Sequence, residues 1–266
     1  MSLPEYERPP VHEVVLGVHF KAIERFGGPY IGLLWQEFRS QFGKIQEQSP
    51  LSFRLERFGL PEPHESPRIE LLDTLPPRIW FVNGSETELL QVQQDWFSHN
   101  WRKIKEDDEY PRYAGIRASF AAEVTKLKTF LEREQLGALE PLQCEVLYIN
   151  HIPLDNGETL GDLLTVFKPD FSDEFLKNPE NTTLALRFLI PDSNSPIGRL
   201  HIAAVPVVTL KTQAPGIQLT ITARCRSASD DIEAILSLLD MGHEWIVRGF
   251  TSITTTKMHE KWRRTQ

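Results

Sequence analysis

Cysteine is scarce: of 266 residues only Cys144 and Cys225 carry a thiol. No CxxC pair occurs, which removes the thiol redox motif and the cysteine-based zinc sites. Both cysteines lie inside apolar runs, so buried free thiols in a reducing compartment are expected. Long apolar runs are missing as well. No window approaches the ~18 consecutive apolar residues that a membrane span requires. The opening MSLPEYERPPVHE has no basic region followed by an apolar one, so no signal peptide is expected. These absences suit a cytoplasmic protein without membrane association, in which the sequon Asn181-Thr182-Thr183 would stay unmodified.

Standard catalytic and cofactor motifs are also lacking. There is no GxxxxGK[ST] and no GxGxxG, so nucleotide binding by the standard loops is not indicated. No GxSxG surrounds any serine. His243-Glu244 begins like HExxH, but Val247 stands where the second zinc-binding His would be, which excludes a zincin. No metal and no cofactor is expected.

What is present is ordinary globular composition: 40% apolar and 25% charged residues. The chain is long enough to bury a core without disulfides. Its formal charge of −8 argues against non-specific binding to nucleic acid or anionic lipid.

Residues 1–10, polar and proline-containing, read as a flexible arm. In Val11–Phe20, Val14, Leu16, Val18 and Phe20 alternate as on a half-buried strand. Pro29 can open a helix over Tyr30–Phe42, with Leu34, Phe38 and Phe42 on one face and Gly43 at its end. Between 44 and 76, short strands are expected at 51–57 and 67–72 around the proline-rich LPEPHESP. The clearest signal is a hairpin: RIWFV, a turn at Asn83-Gly84, then ELLQVQQDWFSHNW. Its second arm alternates on Leu90 and Val92 and resumes on Phe97, His99 and Trp101, a phase slip that predicts a bulge near Gln94–Trp96. Ile116, Phe120, Val124, Leu127 and Leu131 mark a long helix over Arg112–Gln135.

The pattern then restarts. A strand is expected at Gln143–His151, a short helix at Thr159–Phe167, and strands at Thr183–Ile190, Arg199–Leu210 and Ile217–Arg226. A second long helix starts near Ser229 or Asp230, and a last short one spans Lys257–Arg264. The fold class is therefore α+β. It is read as two pseudo-repeated units, 11–138 and 139–266, each a curved antiparallel sheet with a long helix on one face. The sheets could join edge to edge, as in the saddle of TATA-box-binding proteins, or form two lobes.

Three phrases, EVVLGVHF, RIWFVNGSETELLQVQQDWFSHNWRK and HEWIVRGFTSITTTKMHEKW, together resemble a sporadically distributed bacterial family of uncharacterised proteins of about this length. Leu90, Gln91, Val92, Phe97, Asn100, Trp101 and Arg102 carry the most specific part. The resemblance implies a bacterial cytosolic protein. Patchy distribution is typical of accessory genes, including defence and toxin–antitoxin loci. It brings no catalytic residues.

Candidate sites follow from residue chemistry. His243 and Glu244 could act as an acid–base pair, or could simply form the polar side of a helix. Asp95 and His99 would share a strand face if the phase held, or else form an outward polar face. Trp80, Trp96, Trp101 and Trp245 could line a pocket or belong to the core. The proposed ligand or partner set is Trp96, His99, Asn100, Trp101, Arg102, Trp245 and Arg248. Basic clusters at Arg102-Lys103-Ile104-Lys105 and Lys261–Arg264 read as solvated ends, and Gly27-Gly28-Pro29 as a strand–helix turn. The leading expectation is a non-enzymatic binding protein that engages a protein partner or small ligand. An enzyme of unfamiliar, hydrolase-like type and a nucleic-acid binder with a saddle-like sheet stand as alternatives. A homo-oligomer remains open.

Overall fold

The computed structural model describes residues 2–52, 54–59, 77–155, 157–166, 175, 182–192, 195–209, 213–227 and 229–266. The described residues form one nine-stranded antiparallel sheet with helices, an α+β fold. In chain order come β1 (Val11–Phe20), α1 (Gly28–Phe38), β2 (Lys44–Gln48), β3 (Arg78–Val82), β4 (Glu88–Gln93) and β5 (Trp96–Arg102). Then follow α2 (Arg112–Arg133), β6 (Pro141–Pro153), α3 (Leu160–Leu163), β7 (Leu184–Ile190), β8 (Gly198–Val208), β9 (Pro215–Arg226), α4 (Ile232–Ile253) and α5 (Thr256–Lys261). The strand order is β2-β3-β4-β5-β1-β6-β9-β8-β7, so β1 and β6 lie side by side at the centre. No helix among the described residues is long and apolar enough to cross a membrane.

Alternation sets the two faces. Val14, Leu16, Val18 and Phe20 of β1 are buried, in register with Trp101, His99 and Phe97 on one side and Tyr148, Val146 and Cys144 on the other. This face carries the helices. The apolar stripe of α2 (Ile116, Phe120, Val124, Leu127, Leu131) and that of α4 (Ile235, Leu236, Leu239, Ile246, Phe250) join it in a single core. Gly242 lets α4 sit close. A Cβ there would stand 3.1 Å from Val146 Cγ2 and 3.3 Å from Ala223 Cβ.

The intervening residues face the other side. They include Glu13, Gly17 and His19 on β1, Trp96, Ser98 and Asn100 on β5, Gln143 and Glu145 on β6, and Arg224 on β9. Gly17 is required here, because a Cβ would lie 2.1 Å from the ring of Trp96. That ring folds over the strand to meet His19, with centroids 4.0 Å apart.

Several expectations need correction. The predicted bulge is a reverse turn at Gln94-Asp95, so the single long arm is two strands. Leu90 pairs with His99 and Val92 with Phe97 across that turn, which explains the apparent phase slip. The turn is fixed from outside, since the Phe20 and Ile23 amides donate to Asp95 and Gln94 carbonyls. Among the described residues of 51–57 no strand forms; the main chain at Leu51 and Glu56 bonds to glutamine side chains instead. The strand expected at 67–72 lies outside the described residues, while β2 was not foreseen. Helix α1 ends at Phe38. Phe42 still reaches the core, through a turn closed by the Trp35 indole N–H on its carbonyl at 2.8 Å. Cys144 and Cys225, far apart in sequence, are direct cross-strand partners and remain free thiols.

Candidate functional site

The helical face of the sheet closes over a cavity of about 660 Å³ where β6, the start of α2 and the middle of α4 meet. Of residues 1–10, read from the sequence as a flexible arm, Leu3, Pro4, Glu5, Tyr6 and Pro9 line it. Tyr6 is buried. Its hydroxyl pairs with Thr251 Oγ1 at 2.9 Å and its ring stands edge-on to Phe250. Amides of Glu7 and Arg8 donate to carbonyls of Arg263 and Trp262, and the Thr265 amide donates back to Glu5. The cavity thus gains a wall made by the N-terminal segment and secured by the chain's last residues.

Helical spacing aims the α4 side chains. Asp240, His243, Val247 and Phe250 recur every three or four residues and, with Glu244, line one side. On β6, Tyr148 and Asn150 share the inward face, two residues apart. Tyr110 and Tyr113 flank the entry into α2. Between them Arg112 holds φ +64°, a left-handed conformation costly for a residue with a side chain. Its guanidinium donates to the Tyr6 carbonyl at 2.9 Å, which ties this strained corner to the covering segment.

A chain of hydrogen bonds forms the floor. The Tyr110 and Tyr148 hydroxyls are 2.9 Å apart, and Tyr148 Oη is 3.1 Å from His243 Nδ1. The His243 ring stacks on Tyr113, with centroids 3.8 Å apart and planes within 3°. The Tyr113 hydroxyl donates to Asp240 at 2.7 Å, and Arg117 holds the same carboxylate through two bonds of 2.6 and 2.9 Å. Four of the five tyrosines in the chain (Tyr6, Tyr110, Tyr113 and Tyr148) line this one cavity.

Burial fixes the protonation states. It lowers the His243 imidazole to about 4, against the opposing pull of Asp240 and Glu244, so the ring is neutral at pH 7. Burial raises Tyr110 to about 12 and Tyr148 well above the ordinary phenol value. Tyr113 is raised by burial and by Asp240. The relay therefore has two polarities. Either Tyr110 donates to Tyr148 and Tyr148 to Nδ1, or Nδ1–H donates to Tyr148 and Tyr148 to Tyr110. In both states every member is uncharged, and a ligand at Tyr110 could meet an acceptor or a donor.

The predicted residues fall in different places. His243 is in the cavity. Glu244 also lines it, but bonds Arg248 at 2.7 Å rather than His243, one helical turn along the outer face of α4. Trp245 is half-buried against the core. Asp95 and His99 do not form a pair. Asp95 sits in the β4–β5 turn, held by Gln93 at 2.7 Å, whereas His99 is fully buried beneath α2 with Nδ1 2.9 Å from Glu123. Trp101 is on the helical face against Tyr110. Trp96 and Asn100 are on the opposite face, where Asn100 bonds Gln91, Ser98 and Glu13. Arg102 packs over Trp80 on that side and donates to the Glu86 carbonyl. The expected binding set is therefore split between the two faces of the sheet and the surface of α4.

Sequence reasoning missed Tyr110, Tyr113, Tyr148 and Asp240. One signal could have found some of them: tyrosine is rare in this chain, yet Tyr110 and Tyr113 cluster at the start of a helix. No group of three or more His, Cys, Asp or Glu side chains able to hold a metal occurs among the described residues.

No protein-family model, no curated protein and no solved structure matches the chain.

Proposed function

We propose that this is a non-enzymatic binding protein whose small-ligand site is the cavity beneath the N-terminal segment. The observation that carries the reading is the Tyr110–Tyr148–His243 relay at the floor of that cavity. The cavity has the size of a small-molecule site, a mainly apolar wall and a few convergent polar groups. Two of its lining carboxylates are matched, Asp240 with Arg117 and Glu244 with Arg248. Such a site favours an uncharged, planar ligand with a hydrogen-bonding edge, stacked beside Tyr113 and bonded to Tyr110. Among the described residues that line it there is no Ser, Thr, Cys or Lys side chain.

A saturation-transfer NMR screen with adenine, uracil, nicotinamide and indole tests this. Binding that disappears in Tyr113→Ala supports it. Absence of any binding dependent on Tyr113, or turnover of a bound probe, contradicts it. An enzymatic reading has one observation in its favour: a neutral His243 bonded to a phenol can accept a proton. Turnover abolished by His243→Asn would select that reading instead.

We further infer that units 11–138 and 139–266 are pseudo-repeats. Supporting this, β1 and β6 sit side by side at the sheet centre, and each unit places its long helix, α2 or α4, on the same face. The bacterial, cytoplasmic setting and an accessory role, including a defence or toxin–antitoxin locus, remain part of the proposal on the strength of the sequence phrases alone.

A further inference from the structure

One polar side chain of the cavity takes no part in the tyrosine relay. Asn150 lines the cavity and is only 2% exposed. Strand β6 alternates, with Val146, Tyr148, Asn150 and Ile152 buried, so Asn150 stands on the same inward face as Tyr148. The two are about 7 Å apart along the strand. In register, Asn150 lies between Val11 of β1 and Leu219 of β9.

One end of its side-chain amide is fixed. Nδ2 donates to the Leu219 carbonyl at 3.1 Å. A carbonyl can only accept, so the nitrogen must lie on that side and Oδ1 on the other. Asn150 makes no side-chain hydrogen bond except this one, which leaves Oδ1 without a donor among the described residues. Unlike His99 Nε2, which is sealed in the core without a partner, Oδ1 keeps accessible surface. The opening beside it is the cavity.

An asparagine kept only to tie β6 to β9 would have its carbonyl satisfied too, as nearly all buried polar atoms are. Here the nitrogen is spent on the fold and the oxygen is left for an occupant. Oδ1 can only accept. Tyr110, at the end of the relay, can accept or donate according to the relay's polarity. The cavity therefore combines one fixed acceptor with one adaptable group. Much of the remaining wall is apolar, including Pro9, Val11, Ile246, Val247 and Phe250. In such surroundings a lone pair set against Oδ1 finds no compensation.

We propose that Asn150 selects the ligand of this cavity, and that the ligand is an uncharged heteroaromatic that presents an N–H to Oδ1. The proposal rests on the ligand-site reading above and narrows it. Rings with acceptors alone, such as quinones and fully alkylated heterocycles, are rejected, whereas lactams, carboxamides and ring N–H groups are taken. The group beside the N–H is free to be a donor or an acceptor, because Tyr110 adapts to either.

The test pairs uracil, nicotinamide, indole and adenine with analogues in which every N–H is methylated. Dissociation constants are measured by NMR titration of wild type, Tyr113→Ala and Asn150→Ala. Wild type is expected to bind at least one parent, dependent on Tyr113, and to prefer it over its analogue by at least about tenfold, since a site built around a hydrogen bond discriminates strongly against a ligand lacking it. Asn150→Ala removes the acceptor and makes room for the methyl group, so the preference is expected to fall to near one. Tyr113-dependent binding of parent and analogue with equal affinity overturns this proposal alone, as does a preference that persists in Asn150→Ala. Absence of any Tyr113-dependent binding overturns it together with the ligand-site reading. Should Asn150→Ala fail to fold, the side-chain amide resonances of Asn150 in wild type decide. They are expected to shift on saturation with the parent and not with the analogue. No shift while the Tyr113 ring resonances move overturns the proposal.

Discussion

The Tyr148 hydroxyl lies 3.1 Å from Nδ1 of His243 and 2.9 Å from the Tyr110 hydroxyl, so one phenol joins the sheet, the entry to α2 and the centre of α4. Tyr148→Phe removes two hydrogen bonds while keeping the ring. It strands Tyr110 Oη and His243 Nδ1 in a half-buried site. The expected loss is about 1–3 kcal/mol of unfolding free energy, the usual cost of leaving buried polar groups unmade. Urea denaturation of the variant beside wild type measures it. An unchanged midpoint would mean the relay carries no structural energy.

Acid should destabilise the protein through its buried neutral histidines. Burial lowers His243 and His12 to about 4 and His19 to about 3, from an ordinary value of 6.5. Between those values and 6.5 the unfolded chain binds protons that the folded chain refuses. Stability is therefore fully present above pH 6.5 and falls as pH drops towards 4, by up to a few kcal/mol for each of His243 and His19 and by less for the half-exposed His12, where solvent screens the effect. His243→Asn should flatten the slope of urea midpoint against pH over this window; a slope identical to wild type would show that His243 is not held neutral.

His99 and Glu123 form a buried pair beneath α2, with burial raising the Glu123 carboxyl against the opposing effect of His99. Removing one partner leaves the other without compensation. Glu123→Leu or His99→Leu alone should cost about 3 kcal/mol, and the double variant less than the sum. A thermal-melt double-mutant cycle reads the coupling. Simple additivity would contradict the pairing.

Gly17→Ala should also destabilise, because the new methyl would stand 2.1 Å from the Trp96 ring. Overpacking of this kind costs about 1–3 kcal/mol. Combining it with Trp96→Leu should restore part of the loss in the same melt, and no restoration would place the strain elsewhere.

Much of the fold was readable because alternation and helical period are local signals. Val14, Leu16, Val18 and Phe20 declared β1, and Ile116 to Leu131 declared α2, as observed. The β4–β5 turn was not, because Gln94-Asp95 lacks the glycine or asparagine that usually announces a two-residue turn. Its geometry depends on Phe20 and Ile23, some seventy residues earlier in the chain. The cavity was less legible still. His243 could be singled out as a polar group on a helix, but Tyr110, Tyr113 and Tyr148 are ordinary aromatics until β6, α2 and α4 converge. Trp101, chosen from sequence, proved to be core, whereas Asn150 gained meaning only when β9 fixed its amide beside the cavity.

The central claim, that four tyrosines gather around a ligand site, is tested most directly by ring-selective ¹³C labelling of tyrosine and titration with whichever heteroaromatic probe binds in the saturation-transfer screen. Tyr6, Tyr110, Tyr113 and Tyr148 line the cavity, while Tyr30 lies elsewhere, bonded to Arg25. The expected spectrum shows the first four resonances moving together with one dissociation constant and Tyr30 fixed. Movement of Tyr30 in step with the others, or no movement of Tyr110 and Tyr148 at saturation, would contradict the claim.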